Sequence, residues 1–332
     1  MPIVESRHDL GHPVEGDAAW SESYYFNCFD PLANTGFFTR IGVRPNEGTI
    51  DVGMSVWLPD GGLAEYRQHR AQHEMLDTVL EVGGVRYEML AAMTTWRITV
   101  DAEAPARSCR KGAVADRVVT LGLEAQFDAA TPAIGTDGER RGGARSAAAA
   151  AAASTVGKGH FEQAGTWSGH VSVDGTSHLL TDARGARDRS WGPRRWGGPK
   201  MWRWFSISLG EDLHFGGIRL ATDAGDLHRG WVWDGERAAS VAEWRLRTEL
   251  ADDGLTQEVV HLEVLDKEGR TYDLRGDVQR VADIGRAGGT VVNEGLARWT
   301  GADARGDEHV GYGICEYLHQ LDALGEPLVA VE

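Results

Sequence analysis

Cysteine and long apolar runs are both scarce in this chain of 332 residues. The three cysteines, Cys28, Cys109 and Cys315, lie far apart and include no Cys-x-x-Cys pair, which argues against a disulfide framework or a zinc knuckle. No apolar run approaches the ~20 residues of a membrane-spanning helix. Residues 1–16 are polar and acidic, without the basic-then-apolar order of a secretion signal. These absences predict a cytoplasmic protein without a membrane span.

The signatures of several enzyme classes are also missing. The sequence has no Gly-x-Ser-x-Gly elbow, no P-loop and no dinucleotide fingerprint in a strand–turn–helix setting. It also has no set of cysteines and histidines spaced as metal ligands. We therefore expect no metal and no other cofactor, and chemistry that depends on acid and base groups.

Basic residues are the minority charge, with 34 Lys and Arg against 50 Asp and Glu, for a net charge of -16. Such a balance disfavours binding to a phosphate backbone. The stretch from Arg184 to Arg203 is a local exception, because it is basic and interleaved with tryptophan. One cluster of this kind does not outweigh the net charge, so we expect no nucleic-acid partner.

The sequence does contain a repeated pattern of short β-rich runs separated by turn residues. Thr49–Leu58, Val118–Phe127 and Val259–Val264 are examples, and their spacing predicts an all-β sandwich or barrel. Residues 131–158 change character, since they are rich in alanine and glycine and the alanines favour a short helix. The predicted division is an N-terminal β domain at 1–140, a linker at 141–157 and a C-terminal β domain at 158–332.

Charge, aromatic rings and chain-turning residues are densest from Gly185 to Phe205. The glycines and prolines predict a loop, followed by an alternating strand with Trp202 and Trp204 on one face. Such a loop can border a pocket. It can equally be a structural clamp in which arginines stack on indole rings.

Asp188 lies between Arg187 and Arg189 in this stretch. The flanking charge favours the anion, so we expect an ionised carboxylate paired with an arginine, most simply Arg187. This environment suits a general base or an anchor better than a general acid. Replacing Asp188 with asparagine is therefore expected to reduce both stability and activity.

The run Trp20–Asp30 reads as a strand with no ordinary solvent face. Glu22 and Tyr24 share one face, while Tyr25 and Asn27 share the other. We expect this strand and the central stretch to meet at one cavity. The candidate proton-transfer groups are Asp188, Glu22, Glu316 and Tyr24, and the candidate ligand-binding residues are Tyr25, Asn27, His160, Arg187, Trp191, Trp202, Trp204 and Glu294. Each of them can instead be a structural group.

Several of these residues carry a family resemblance. The segment His160–Gln163 and the run Gly-Ala-Arg-Asp-Arg-Ser-Trp-Gly-Pro-Arg from Gly185 to Arg194 resemble the AttH-like and carotenoid 1,2-hydratase (hydroxyneurosporene synthase) superfamily. Glu22–Asn27 and Gly311–Tyr317 look like related bacterial proteins. The resemblance implies two consecutive lipocalin-like (calycin) antiparallel β-barrels. Arg189 stands where the family commonly has histidine, so no proton transfer is carried over to that position.

The resemblance also implies a class of activity. Known reactions in this broad group include addition of water to an isoprenoid double bond and cyclisation of polyketide-derived chains. We therefore expect a cofactor-independent lyase or isomerase, of hydratase, dehydratase or cyclase type, acting on a hydrophobic isoprenoid, steroid-like or aromatic small molecule. The alternative is a non-catalytic binding protein for the same ligands. The sequence does not decide between a monomer and a homodimer.

Overall fold

The computed structural model describes residues 3–72, 77–109, 113–139, 146–195, 197–303 and 305–331, with the backbone alone at 286 and 287. The chain divides into two compact units. The first unit contains Pro2–Glu139 and Gly157–Arg194, and the second contains Arg140–Val156 and Arg195–Glu332. Within the described residues, no helix is long and apolar enough to cross a membrane.

The first unit is an antiparallel sheet of eleven strands preceded by a 3₁₀ turn at Ser6–Asp9. Its strands are β1 (Trp20–Asp30), β2 (Thr35–Arg44), β3 (Thr49–Trp57), β4 (Gly62–Ala71), β5 (Val79–Val82), β6 (Val85–Ala91), β7 (Thr95–Ser108), β8 (Arg117–Ala129), β9 (Ile134–Thr136), β10 (Gly159–Val173) and β11 (Thr176–Pro193). The strand order is β4-β3-β2-β1-β11-β10-β8-β7-β6-β5, and β4 also pairs with β7. That last pairing joins eight of the strands into a ring, as in a lipocalin-like barrel.

The second unit is a closed eight-strand barrel, β12 to β19 in sequence order, with one helix. Its elements are α1 (Ala147–Thr155), β12 (Met201–Leu209), β13 (Leu213–Thr222), β14 (Gly225–Asp234), β15 (Ala238–Leu250), β16 (Gln257–Asp266), β17 (Thr271–Ala287), β18 (Thr290–Ala302) and β19 (Glu308–Gln320). Helix α1 is the predicted alanine helix; the Ser146 hydroxyl accepts the backbone N–H of Ala149 and caps it. The predicted all-β class with two lipocalin-like domains is confirmed.

Period-two alternation builds both cores. In β3, for example, Ile50, Val52, Met54 and Val56 are buried and point to the interior of the first unit. The second barrel has its own core on the inward side chains of β12, β16 and β19. Each unit therefore buries a separate hydrophobic core.

The domain division differs from the one that the sequence predicted. Residues 158–194, which we placed in the C-terminal domain, belong to the first unit, because β11 pairs with β1 along Trp20–Phe29 and β10 pairs with β8. The alanine-rich segment precedes two strands that return to the first sheet. Residues 141–145 of the predicted linker lie outside the described residues.

The central stretch is also not a loop at its start. Strand β11 continues through Pro193, and Gly192 adopts a φ of +116° near its end. The glycine and proline residues close the strand after Trp191, so the charged motif itself is extended backbone. Its side chains alternate between the two faces of a sheet.

Candidate functional site

Strand pairing assigns the residues of β11 to opposite faces of the first sheet. Tyr24 lies opposite Arg189, Phe26 lies opposite Arg187, and Tyr25 lies opposite Asp188. Tyr24 and Phe26 belong to the hydrophobic core, so we call their side the inner face and the other side the outer face. Arg187 and Arg189 are therefore inner-face residues, whereas Asp188 is an outer-face residue.

Arg187 is held in a fully partnered position on the inner face. Its guanidinium binds Asp9 through two contacts, Nη1–Oδ1 at 2.6 Å and Nη2–Oδ2 at 3.0 Å, and its Nε donates to Gln163 Oε1 at 2.8 Å. The guanidinium carbon lies 5.1 Å from the ring centre of Phe161 and 5.6 Å from that of Trp96. Both Arg187 and Asp9 are buried. This arrangement is an internal ion pair with satisfied donors.

Arg189 organises a second buried group. It contacts the Glu22 carboxylate and donates to Tyr24 Oη at 3.1 Å and to the Leu10 carbonyl at 3.1 Å. Burial opposes ionisation of Glu22, but Arg189 and the nearby His12 outweigh it and lower the pKa of this carboxyl. Burial raises the pKa of Tyr24 to about 12, against the influence of Arg189. Glu22 is thus held as an anion and Tyr24 as a neutral phenol.

Three stacked rings cover this group. His12 lies 3.9 Å from Trp191 between ring centres, and His8 lies 5.2 Å from Trp191. His8 Nδ1 and His12 Nε2 are 3.0 Å apart, and His12 Nδ1 is 3.1 Å from Glu22 Oε2. Gly159 makes room for the indole, because a Cβ there would lie 2.0 Å from the ring. We call the residues Asp9, His8, His12, Glu22, Tyr24, Arg187, Arg189 and Trp191 the inner cluster.

The outer face carries a different kind of group, the acid–base pair His160 and Asp188. His160 Nε2 lies 2.9 Å from Asp188 Oδ2 and 3.6 Å from Glu162 Oε1. The side chains are 33% exposed for His160, 20% for Asp188 and 4% for Glu162. Among the described residues, both polar contacts recorded for the His160 ring, to Asp188 and Glu162, are made by Nε2. The pair therefore combines an ordered imidazole with one ring nitrogen available to a ligand.

Opposing effects set the proton affinity of His160. Burial of the ring opposes its protonation, but the charge and hydrogen bond of Asp188, with a further contribution from Glu162, outweigh that effect and raise the pKa of His160. Because its pKa is raised, His160 keeps its proton to a higher pH than an ordinary histidine does. A protonated imidazole can give a proton to a substrate and take one back.

Two further predicted residues, Tyr25 and Asn27, share the outer face with this pair. Tyr25 lies opposite Asp188 across β1 and β11, and Asn27 lies opposite Ala186. The rings of Tyr25 and Phe38 stack with centres 6.5 Å apart and planes at 21°. Aromatic and amide groups therefore lie beside the acid–base pair.

The second unit brings the four remaining predicted residues together. Trp204 lies opposite Glu316 across β12 and β19, and Glu294 lies opposite Glu316 across β18 and β19. Trp202 Nε1 donates to Glu316 Oε1 at 2.5 Å. Alternation puts all four on the side of their strands away from Phe205 and Cys315, which belong to the barrel core. They form a compact acidic and aromatic group on one barrel face.

The structure contradicts one expectation about Asp188. Its partner is His160 and not Arg187, because neighbouring residues of a strand point to opposite faces and Arg187 pairs with Asp9 on the other side. Glu22 and Tyr24, proposed for proton transfer, lie in the inner cluster with their polar atoms engaged. That environment favours a structural role for both.

Sequence reasoning missed several residues of these groups. Asp9, His8 and His12 come from the segment before β1, which had no recognisable pattern, while Gln163 and Glu162 were only part of a family motif. A signal was present for Glu162: His160 and Glu162 are two residues apart in a strand and so share a face. Among the described residues, no group of three or more metal-binding side chains is found.

Nearly the whole chain matches one protein family. A family model described as a domain of unknown function, DUF7064, matches residues 5–321. The chain belongs to this family. The match spans both units and includes the inner cluster and the acid–base pair. A search of curated proteins finds no match.

Solved structures share the fold of this family member. A Nitrosomonas europaea protein provisionally assigned as AttH is 16% identical, with a TM-score of 0.64, over 95% of this chain and 97% of the other. Kievitone hydratase from Nectria haematococca is 13% identical, with a TM-score of 0.61, over 96% and 93%. CghA, crystallised with Sch210972, is 12% identical, with a TM-score of 0.57, over 91% and 88%. The resemblance to the AttH-like fold is thereby confirmed, and identities this low show the fold alone.

Proposed function

We propose that this protein is a cofactor-independent lyase of hydratase or dehydratase type that acts on a hydrophobic small molecule. The observation that carries the proposal is the pairing of His160 with Asp188 at 2.9 Å, with the imidazole part-exposed and its pKa raised. The similarity in fold to a protein named as a hydratase supports the same reaction class. Proton transfer to an alkene needs an acid that is protonated near neutral pH.

The proposed reaction uses a single nitrogen twice. His160 Nδ1–H gives its proton to the less substituted alkene carbon, and the π electrons form the new C–H bond. Water then adds to the resulting carbocation, and its surplus proton passes to Nδ1. Asp188 accepts the Nε2–H bond throughout and keeps the ring in one orientation, as the aspartate of a hydrolase triad does. The reverse sequence removes water from a tertiary alcohol.

Aromatic rings on the same face suit this intermediate. A carbocation is stabilised by the negative face of an aromatic ring, and the Tyr25–Phe38 stack lies beside Asp188 on the outer face. If the cation loses a proton from carbon before water adds, the product is an isomer. Both outcomes require the same first step at His160.

The test measures proton transfer directly. The protein is incubated in D₂O with linalool, an isoprenoid tertiary alcohol, and with a prenylated phenol, and carbon-bound deuterium and the gain or loss of water are followed by mass spectrometry. His160→Gln should lower deuterium incorporation by about 100-fold or more, the size expected for loss of a general acid. The matched control is His170→Gln, at a half-buried histidine of the same strand.

The control variant should react like the parent protein. Equal incorporation by His160→Gln and the parent would overturn the assignment of the acid. Saturable binding of both compounds without any incorporation would favour the alternative, a binding protein.

A further inference from the structure

Asn27 carries a buried hydrogen-bond donor that finds no acceptor in the part of the chain that the structure describes. Its side-chain Oδ1 accepts the backbone N–H of Ala186 at 3.0 Å. Only an oxygen can accept that bond, so the orientation of the amide is fixed and Nδ2 points away from Ala186. Asn27 is 3% exposed, and its Nδ2 has no partner among the described residues. A buried amide N–H without an acceptor costs free energy, and an unoccupied ligand position is one explanation for it.

The position of Asn27 links it to the acid–base pair. Asn27 lies opposite Ala186 on β11, and Asp188 is two residues further along that strand on the same face. Such diagonal neighbours are about 7–8 Å apart. Tyr25, which lies opposite Asp188, and the methyl groups of Ala186 and of Ala164 opposite it share this face. The amide donor and the acid–base pair therefore lie on one face of the sheet, with an aromatic ring and two methyl groups beside them.

The chemistry of this surface selects the group that the donor would bind. Asn27 offers only N–H here, because its oxygen is already used. A carbonyl oxygen is neutral and only accepts, so it matches the donor without leaving a proton of its own unbonded. Phe38, opposite Asn27 on β2, and Tyr25 add stacked rings that suit a planar conjugated compound.

We infer that Asn27 binds the carbonyl oxygen of the substrate, and that the substrate is a hydrophobic conjugated ketone whose reacting alkene lies at the acid–base pair. This inference rests on the proposed function, because it takes the acid–base pair as the reacting centre. Asn27 is the specificity determinant in this arrangement, and His160 is the catalytic residue.

The experiment measures binding, which does not require turnover. The probes are β-ionone, an isoprenoid enone, and the hydrocarbon in which a methylene group replaces its carbonyl oxygen; dissociation constants are measured by equilibrium dialysis. The parent protein should bind the ketone about 10- to 100-fold more tightly than the hydrocarbon. Asn27→Asp keeps an oxygen that can bind Ala186, loses the donor and adds a charge, so it should abolish this preference.

Two controls separate the donor from other effects. Asn46→Asp adds the same charge at an exposed asparagine of the same unit and should keep the preference. If Asn27→Asp fails to fold by circular dichroism, Asn27→Ala, which adds neither a charge nor a donor, is measured in the same way and should also lose the preference.

The outcomes distinguish this inference from the proposed function. The inference is overturned if the parent protein binds neither probe saturably or binds both equally. It is also overturned if Asn27→Asp still prefers the ketone to the hydrocarbon. His160→Gln should keep the preference while losing deuterium incorporation. The proposed function requires that the parent protein incorporate deuterium and that His160→Gln lose this incorporation. If incorporation were unaffected by His160→Gln, the proposed function would be refuted and the result for Asn27 would still stand.

Discussion

Neighbouring residues of strand β11 have different surroundings, because they point to opposite faces of the sheet. Arg187 and Arg189 point into the first unit, where each meets a buried carboxylate. Asp188, between them, points to the outer face and meets a part-exposed histidine. One short motif thus supplies both an internal framework and a candidate reactive group. The mixed composition of the motif follows from this alternation between the two faces.

The two faces differ because burial imposes different requirements. A charge removed from water must be paired and hydrogen-bonded, and the inner cluster meets that requirement for Asp9 with Arg187 and for Glu22 with Arg189. Such groups are fixed and cannot change charge without a large cost. On the outer face, His160 keeps water contact and can gain or lose a proton. We therefore expect acid–base reactivity from the outer face and a contribution to stability from the inner face.

The largest predicted effect is the loss of stability when the buried ion pair of the inner face is broken. Arg187→Met removes one partner of a buried ion pair and leaves the Asp9 carboxylate uncompensated, which should lower the free energy of unfolding by about 3–5 kcal/mol. Urea denaturation measures this change. Asp188→Asn, at the next residue, removes a part-exposed pair and should cost less than about 1 kcal/mol.

Equal losses in the two variants would contradict the division between the faces. This prediction also replaces the expectation from sequence that Asp188→Asn destabilises the protein through an unpaired arginine. The arginine in question has a different partner.

Much of the fold could be predicted because it depends on local alternation. The two faces of Trp20–Asp30 and of the strand after Lys200 were assigned correctly from period two alone, and the alanine run predicted the helix. Strands β4, β9 and β17 were missed. In β4, only the first three residues are buried and the rest is polar and mainly exposed, so no alternation marks it as a strand.

The partners within the site could not be predicted, because they are distant in sequence. Arg187 and Asp9 are 178 positions apart, and Arg189 and Glu22 are 167 apart. Pairing depends on β11 returning to β1, which nothing in the local pattern indicates. Sequence reasoning placed His160 and Asp188 among the candidates but did not pair them; only the register of β10 against β11 does.

A smaller predicted effect concerns the pKa of His160 on the outer face. Asp188→Asn removes the main influence that raises the pKa of His160, so the imidazolium should lose its proton at lower pH than in the parent. The rate of deuterium incorporation plotted against pH should therefore fall at a lower pH in the variant. Glu162→Gln should shift the fall in the same direction by less, since Glu162 has the weaker influence.

An unchanged pH profile in Asp188→Asn would show that His160 is not the group whose titration limits the reaction. Arg184→Met provides a control for general changes in charge, because Arg184 lies further along the same strand beside Asp182. Its profile should match that of the parent.

The smallest predicted effect compares the histidines of the two faces by their influence on stability. Burial, then His12 and Arg7, lowers the pKa of His8 below its ordinary 6.5, so the unfolded chain binds more protons and stability falls as the pH drops through and below about 6.5. His160 has a raised pKa, so its contribution is full below about 6.5 and is lost as the pH rises through the folded-state value. Urea midpoints measured across pH should show that His8→Phe, which keeps a ring beside Trp191, reduces the loss on the acid side. His160→Gln should instead reduce the loss on the alkaline side, and slopes of the same sign for both variants would contradict the opposed electrostatics of the two faces.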